Sequence, residues 1–104
     1  MATMMVMYRT PKDPQAFDRH YSEVHVPMAR QLPGLLSYEM SDGPVTTVTG
    51  PKDVYMVATL RFPSIQAIRE AFASDIGKAC AADRHILAPN DSDLVMLIYD
   101  EQDA

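Results

Sequence analysis

His25 is the residue of this sequence best suited to chemistry, because histidine is the side chain that changes charge near neutral pH. It lies two residues before Pro27, within the stretch 13–34. A neutral histidine can take or give a proton, and a tyrosine hydroxyl such as that of Tyr38 can polarise a carbonyl or hold an enolate. Together they suit proton transfer on a small, mostly apolar, oxygenated molecule. In the alternative interpretation the His25 ring only caps a broken helix.

The residues before His25 predict a helix that begins at about residue 14. Asp13 can accept hydrogen bonds from free backbone N–H groups. Pro14 suits the first helical position, because its missing N–H would be unpaired there anyway. Apolar residues then recur at spacings of four, three and four, which describes one helical face, namely Phe17, Tyr21, Val24 and Met28.

Pro27 interrupts this pattern. Its ring clashes with the carbonyl four residues earlier in a regular helix, and Val26 is biased away from helical angles because it precedes a proline. The sequence therefore predicts a helix over 14–24, a break or kink at residues 25–26, and a further helical turn or two over 27–32. His25 would then lie where backbone groups are locally unpaired.

Tyr38 lies on the second predicted strand, residues 35–40, on the face shared with Leu36 and Met40. If that face meets the first helix, the side chains of Tyr38 and His25 approach each other across an otherwise apolar cleft. The eight methionines suit an adaptable cleft wall, although core filling explains them equally well. We predict His25 and Tyr38 as the catalytic residues. Four flanking side chains are predicted to bind the ligand: His20, Tyr21, Met28 and Met40.

Other candidate residues have structural interpretations that are at least as good. His20 lies at the edge of the apolar stripe and could simply face water. Tyr21 could hydrogen-bond or stack on His25 if the helix persists, and it is otherwise a core residue. His85 is interpreted as a helix-end residue that interacts favourably with the helix dipole. Cys80 is interpreted as inert core on an apolar helix face.

The rest of the chain alternates strands and helices. A β-rich stretch at 45–49 could extend the second strand. Ser64 and Ser74 are predicted to cap two helical pieces that follow the third strand. The strands are predicted over residues 4–9, 35–40, 54–62 and 94–99. The resulting βαββαβ order is the ferredoxin-like arrangement, an α+β fold class in which a four-stranded antiparallel sheet carries its helices on one face.

Composition limits the partners and cofactors of the chain. Its 104 residues are expected to form one domain, and its net charge of −5 argues against nucleic acid or an anionic membrane as partner. The single cysteine cannot form an internal disulfide, and no signal peptide or membrane-spanning stretch is seen, so we expect a cytoplasmic protein. Neither a glycine-rich phosphate loop nor metal-spaced histidines are found, so we expect no metal and no other cofactor.

The strand pattern predicts a homodimer. The first and fourth predicted strands are apolar on both faces, yet the helices of a ferredoxin-like unit cover only one face of the sheet. A second copy of the chain is the economical cover for the other face, and two facing sheets would close into a dimeric α+β barrel. The alternative is a monomer with a few exposed methionine and leucine residues.

Several motifs resemble the EthD family, which is named for a component encoded with ethyl tert-butyl ether degradation. They are F-D-R-H-Y-S-E-V-H-V-P-M at 17–28, P-G-L at 33–35, Tyr38, S-D-I at 74–76, K-A at 78–79, and Asp83. The family belongs to the dimeric α+β barrel superfamily, so the resemblance implies a ferredoxin-like protomer and a dimer. Its isomerase-like members place a histidine and a tyrosine in a pocket between helices and sheet, and by motif these positions match His25 and Tyr38. Superfamily relatives also bind haem, but nothing in this sequence marks a haem ligand.

The resemblance leaves two classes of function open. Relatives include a methylmuconolactone isomerase that needs no cofactor, and the wider superfamily contains cyclases, dehydratases and cofactor-free oxygenases. This implies a cofactor-free enzyme that acts on a small hydrophobic metabolite in a catabolic or secondary-metabolism pathway. The alternative is a non-catalytic accessory or ligand-binding protein of a degradation pathway. A His25 ring buried beside an open cavity would favour the enzyme, whereas a filled cavity would favour the accessory protein.

Overall fold

The chain folds into four strands, four α-helices and two short helical turns. The computed structural model describes all of residues 1–104. In chain order the elements are β1 (Ala2–Tyr8), α1 (Pro14–His20), a π-helical turn (Tyr21–His25), α2 (Val26–Ala29), β2 (Ser37–Met40), β3 (Met56–Phe62), α3 (Ile65–Ala73), α4 (Asp75–Leu87), a 3-10 turn (Asp91–Asp93) and β4 (Leu94–Asp100). The predicted α+β class and ferredoxin-like order of elements are confirmed.

The strands form one antiparallel sheet in the order β2-β3-β1-β4. Because side chains alternate between the two faces of a strand, the register decides which residues meet the helices. Val6 of β1 lies between Ala58 of β3 and Met96 of β4, and all three line a cavity on the helix side of the sheet. Met5, the residue before Val6 in β1, pairs with Leu97 of β4 on the opposite, open face of the sheet.

Side-chain caps begin the helices as predicted. Asp13, Ser64 and Ser74 each accept the backbone N–H of the residue three positions later, over 3.0–3.1 Å. Each bond satisfies one of the donors that a helix start leaves unpaired. Ser74 ends α3 and begins α4, so the two helices meet at a sharp corner. A Cβ atom added to Gly77 in this corner would lie 2.1 Å from the carbonyl oxygen of Ala71.

A break or kink is predicted next to Pro27, and the helix does not break there but is irregular in the turn before the proline. The backbone remains right-handed helical, with φ of −69° at His25 and −59° at Val26. The residues Tyr21–His25 form a π-helical turn, which is closed by a bond from the Val26 N–H to the carbonyl five residues earlier. Pro27 has no N–H to donate, and the wider turn before it accommodates the proline without ending the helix.

The π-helical turn also changes which residues face the sheet. The buried side chains are every fourth residue, Phe17, Tyr21, His25 and Ala29. Val24, which was predicted on the apolar face, is 40% exposed, and Met28 is only half-buried. Rows of every fourth residue drift around a regular α-helix, whereas a wider turn keeps them on one side. His25 therefore enters the core at the level where a regular helix would have placed Val24.

The strand extension predicted at 45–49 is wrong. Residues 41–55 contain no helix or strand, and Val48 is 94% exposed. Gly43 and Gly50 flank the stretch with φ of +73° and +112°, which turn the chain on either side of it. β-branched residues favour a strand only where they have a neighbouring strand or a buried face to pack against, and these have neither.

Strand β4 leaves apolar side chains uncovered on both of its faces. It is an edge strand, and each of residues 95–99 is between 39% and 47% exposed. Val95, Leu97 and Tyr99 lie on the open face of the sheet, beside Met5 and Met7 of β1. The apolar surface expected from the sequence is therefore present within one chain.

Candidate active site

A cavity of about 200 Å³ lies between the helices and the sheet. Most of its wall is apolar and comes from the strands and the flanking helices, including Met4, Val6, Ala58, Leu60, Leu32 and Phe72. Polar side chains reach it from four elements, as the residues Tyr8, Tyr21, His25, Tyr38, Arg84 and His85. An apolar cavity with a few convergent polar groups is the usual form of a small-molecule site.

Asp83 of α4 binds two histidines of the first helical stretch. Its Oδ2 lies 2.8 Å from Nδ1 of His25, and its Oδ1 lies 2.7 Å from Nε2 of His20. Both Asp83 and His25 are buried. Burial raises the pKa of the Asp83 carboxyl, but the hydrogen bonds from His20 and His25 outweigh it and hold that pKa below its usual range. Asp83 is therefore ionised at neutral pH.

The ionised Asp83 sets the tautomer of His25. A carboxylate can only accept hydrogen bonds, so each histidine must direct an N–H at it. The Nδ1 atom of His25 carries that hydrogen, and Nε2 is the ring nitrogen with a free lone pair. Because His25 lines the cavity, Nε2 is the atom that a ligand can meet. Neutral His25 is thus a proton acceptor, and Asp83 stabilises the cation that forms when it accepts one.

The π-helical turn brings the two histidines to one carboxylate. His20 and His25 are five residues apart, which is the spacing of π-helical hydrogen bonds. In a regular α-helix, residues five apart point to different sides, because one turn takes 3.6 residues. The wider turn aligns the two rings, so that one side chain of α4 reaches both.

Two tyrosine hydroxyls form the second polar contact of the cavity. The Oη atoms of Tyr21 and Tyr38 are 2.5 Å apart. Burial raises the pKa of Tyr38 and the hydrogen bond to Tyr21 lowers it, whereas burial and then Tyr38 both raise the pKa of Tyr21. Either hydroxyl can donate in this pair, and when Tyr21 donates, the Tyr38 proton is available to a ligand. The Tyr21 ring also stacks on His25, with centroids 5.2 Å apart.

A family model described as the EthD domain matches residues 9–88, which include His20, His25, Tyr38 and Asp83. The chain belongs to the EthD family. It is 36% identical over 103 residues to an uncharacterized 11.0 kDa protein in the thcB-thcC intergenic region of Rhodococcus erythropolis, covering 98% of this chain and 96% of the relative. It is also similar to the crystal structure of an EthD family protein from Bacillus halodurans, with a TM-score of 0.85 and 27% identity over 98% of this chain and 99% of that one.

More distant solved structures share the fold of this EthD protein. SnoaB, a cofactor-independent oxygenase from Streptomyces nogalater, has a TM-score of 0.67 at 16% identity, covering 99% of this chain and 94% of SnoaB. A dimeric ferredoxin-like protein of unknown function from Thermobifida fusca has a TM-score of 0.67 at 13% identity, covering 94% and 88%. At these identities the likeness establishes the fold alone. Proteins with this fold therefore include one that is dimeric and another that is a cofactor-independent oxygenase.

The structure of the EthD protein brings together three of the six predicted site residues. The three that line the cavity are Tyr21, His25 and Tyr38. His20 binds Asp83 from behind and borders a separate, more polar groove beside the end of α4. Met28 is half-buried outside the cavity wall, and Met40 is 46% exposed beside another surface groove.

Sequence reasoning missed three polar residues of the site, Tyr8, Asp83 and Arg84. Tyr8 was interpreted only as part of a strand. Asp83 carried a usable signal, since it shares the inner face of α4 with Cys80 and Leu87, and a charge on an apolar helix face needs a partner. Arg84 carried no such signal. His85 lies within the last turn of α4 rather than after it, and its ring contacts Arg84.

Histidine and aspartate side chains can bind metals, but here His20 and His25 are hydrogen-bonded to Asp83. No group of three or more histidine, cysteine, aspartate or glutamate side chains is arranged to hold a metal ion. None of the helices of this EthD protein is both long enough and apolar enough to cross a membrane.

Proposed function

We propose that this EthD protein is an acid–base enzyme that needs no cofactor and acts on a small, hydrophobic, oxygenated molecule. The reaction types that fit are isomerisation, dehydration and lactone processing in a catabolic or secondary-metabolism pathway. One observation carries the proposal. Asp83 engages Nδ1 of the buried His25, so that Nε2 is presented to an apolar cavity that Tyr38 also lines.

His25 is the base in the proposed reaction. Its Nε2 takes a proton from the carbon next to a carbonyl of the ligand, and the electron pair of the broken C–H bond moves onto the carbonyl oxygen. The Asp83 carboxylate, 2.8 Å from Nδ1, stabilises the imidazolium that results. The same nitrogen then returns the proton to another carbon or to a leaving oxygen. The cycle ends with His25 neutral, as it began.

Tyr38 is the acid-side partner. Its hydroxyl is hydrogen-bonded to that of Tyr21, and with Tyr21 as the donor of this pair, the Tyr38 proton is donated to the ligand oxygen that becomes negative. Burial holds the pKa of Tyr38 above its usual range, so the donor is present throughout the neutral range. The apolar cavity wall strengthens this hydrogen bond by keeping water away. Formation of an electron-rich anion would equally begin a cofactor-free oxygenation, the activity of SnoaB.

The proposed enzyme is a cytoplasmic homodimer. The open face of its sheet carries apolar residues of β1 and β4 that the chain itself leaves exposed: Met5, Met7, Val95, Leu97 and Tyr99. A second copy would cover this face, as a dimer with closed twofold symmetry does. A dimeric neighbour of the same fold supports the assembly. The lone buried Cys80 suits a reducing compartment.

Deuterium exchange tests the proposed function without knowledge of the natural substrate. The protein is incubated in D₂O with a panel of small cyclic ketones and lactones, and NMR follows deuterium incorporation next to the carbonyl. We expect exchange with the wild type and a loss of about 10²–10⁴-fold in His25→Gln and Tyr38→Phe. The exposed Glu23→Gln in the same π-helical turn is the matched control and should exchange like the wild type.

The accessory-protein alternative gives a different result in the same experiment. It predicts that compounds of the panel shift NMR signals of cavity residues while their deuterium content stays at the level of buffer. That outcome, or a wild-type rate that His25→Gln leaves unchanged, would overturn the enzymatic proposal.

A further inference from the structure

Arg84 has one hydrogen-bond donor that no protein group uses. Its Nη2 binds Asp91 at 2.9 Å, and its Nη1 lies 2.9 Å from Nδ1 of His85. Its Nε is the only buried side-chain nitrogen or oxygen of the chain that lacks a hydrogen-bond partner. A guanidinium is charged at every working pH and each of its N–H groups is a strong donor. The two terminal nitrogens of Arg84 therefore have partners, whereas its buried Nε–H has none.

The side chain that carries this donor belongs to the wall of the cavity. Arg84 is the only lysine or arginine among the lining residues, and no aspartate or glutamate lines the cavity with it. Tyr8 lines the same cavity as Arg84. Burial raises the pKa of Tyr8, Tyr38 raises it further, and the charge of Arg84 lowers it. Tyr8 forms none of the side-chain hydrogen bonds of the site. One end of the cavity thus combines a fixed positive charge with a free hydroxyl.

We propose that the ligand is a small carboxylic acid whose carboxylate binds the Nε–H of Arg84, with the Tyr8 hydroxyl as second donor. This deepens the proposed function, and rests on it for the use of the same cavity, by naming the substrate class. The ligand has an apolar body, a carboxylate at the Arg84 end, and the reacting carbonyl near His25 and Tyr38.

An acid fits this end better than a neutral ligand. Hydrogen bonds between a charged donor and a charged acceptor are shorter and stronger than neutral ones, and guanidinium matches carboxylate in geometry. Both Asp83 oxygens are bound by histidines, so neither bonds Arg84, and the ion pair of Arg84 with the 96% exposed Asp91 is screened by water. Arg84 is the only lysine or arginine of the cavity wall, so it is the feature that can select an anion there.

Matched pairs of acids and amides test the inference. The probes are benzoate with benzamide, cyclohexanecarboxylate with its carboxamide, and levulinate with its amide, so that each pair keeps shape and loses charge. Binding is followed by NMR on ¹⁵N-labelled protein, including the Nε–Hε signal of Arg84. We expect the best acid to bind at least about tenfold more tightly than its amide, which is the effect of one hydrogen bond to a charged group, and to shift the Arg84 signal.

Variants of Arg84 identify the donor. Arg84→Gln is expected to abolish the preference for acids, and Arg84→Lys, which keeps the charge but lacks Nε–H, to keep only part of it. Arg19→Gln, exposed on α1, is the control and should retain the full preference. Equal binding of acids and amides by the wild type, or an unshifted Arg84 signal on acid binding, would overturn the inference. The second readout needs no variant, so it stands even if Arg84→Gln fails to fold.

Failure of this inference can be told apart from failure of the proposed function. His25→Gln and Tyr38→Phe should retain the preference for acids, since neither residue binds the carboxylate. Acid binding without deuterium exchange would leave the inference standing and remove the acid–base enzyme. Deuterium exchange that is as fast on neutral ketones as on keto acids would remove the inference and leave the acid–base enzyme standing.

Discussion

His25 is joined to Asp83 by a hydrogen bond of 2.8 Å, although the two residues are 58 positions apart in the chain. The contact links the π-helical turn to α4. One carboxylate therefore serves the packing of two helices and the orientation of the proposed base. Variants of Asp83 must be judged by stability as well as by activity.

Asp83→Asn is expected to lower the free energy of unfolding at pH 7 by about 1–3 kcal/mol, because it weakens one buried and one partly buried hydrogen bond to an ionised group. Burial raises the pKa of Asp83, but the hydrogen bonds from His20 and His25 lower it more, so that the pKa lies below its usual range. A carboxyl whose pKa is lower when folded contributes stability above its unfolded pKa of about 4, and loses it as the pH falls through the folded value.

Urea unfolding of the wild type and of Asp83→Asn across this pH range measures the effect. The difference between them should shrink as the pH falls below about 4, where Asp83 of the wild type becomes protonated. Asp103→Asn, in the exposed C-terminal tail, is the control and should match the wild type at pH 7. A difference that does not shrink below about pH 4 would contradict the assignment of Asp83 as the ionised partner.

Stability is also expected to fall in alkali because of the buried tyrosines. Burial is the largest cause that raises the pKa of Tyr8, Tyr21 and Tyr38. A group whose pKa is raised by folding contributes stability below its unfolded pKa, which for tyrosine is about 10, and loses it as the pH rises toward the folded value. Urea unfolding between about pH 8 and pH 11 should show this decline, and Tyr8→Phe should reduce it. Phenolate absorbance that rises equally in folded and unfolded protein would speak against it.

Gly77→Ala is expected to destabilise the fold by about 3 kcal/mol, because the corner between α3 and α4 leaves no room for a methyl group. Its Cβ would lie 2.1 Å from the Ala71 carbonyl oxygen and 2.4 Å from Cα of Phe72. Gly43→Ala adds the same methyl group where nothing lies within 4 Å, and it strains only a backbone with φ of +73°. Thermal unfolding should show the larger loss for Gly77→Ala, and the reverse order would show that the corner can open at low cost.

The proposed dimer predicts that a charge on the open face of the sheet separates the subunits. Leu97→Glu should weaken association by at least about a hundredfold, because the carboxylate would be buried without a partner. Val48→Glu introduces the same charge at a residue that is 94% exposed and should leave association unchanged. Sedimentation velocity over a range of concentrations measures both. A wild type that sediments as a monomer throughout would exclude the assembly.

Local signals explain why most of the fold was predictable. Asp13, Ser64 and Ser74 cap helices through contacts within three residues, and the apolar run of β4 identifies a strand wherever its partners lie. The errors arose where the wider context decided. A break or kink is predicted at residues 25–26, where a π-helical turn keeps the helix continuous, and residues 45–49 have strand propensity without a neighbouring strand.

The site was less predictable, because its key contacts join distant parts of the chain. His25 and Tyr38 were proposed from their residue types and from the family resemblance, and both line the cavity. The bond between His25 and Asp83 depends on how α4 packs over the first helical stretch, which no local pattern reports. The unpaired Nε of Arg84 is a property of the packed structure alone.

The π-helical turn affects how relatives of this chain should be compared. Such a turn holds one residue more than the α-helical turn that it replaces, as if a residue had been inserted without lengthening the helix on either side. A relative with a regular helix here would need a gap of one position in an alignment with this chain. Without that gap, the residue written opposite His25 would lie on another side of the helix. Equivalence at this site is therefore better established by superposing structures than by matching columns of sequence.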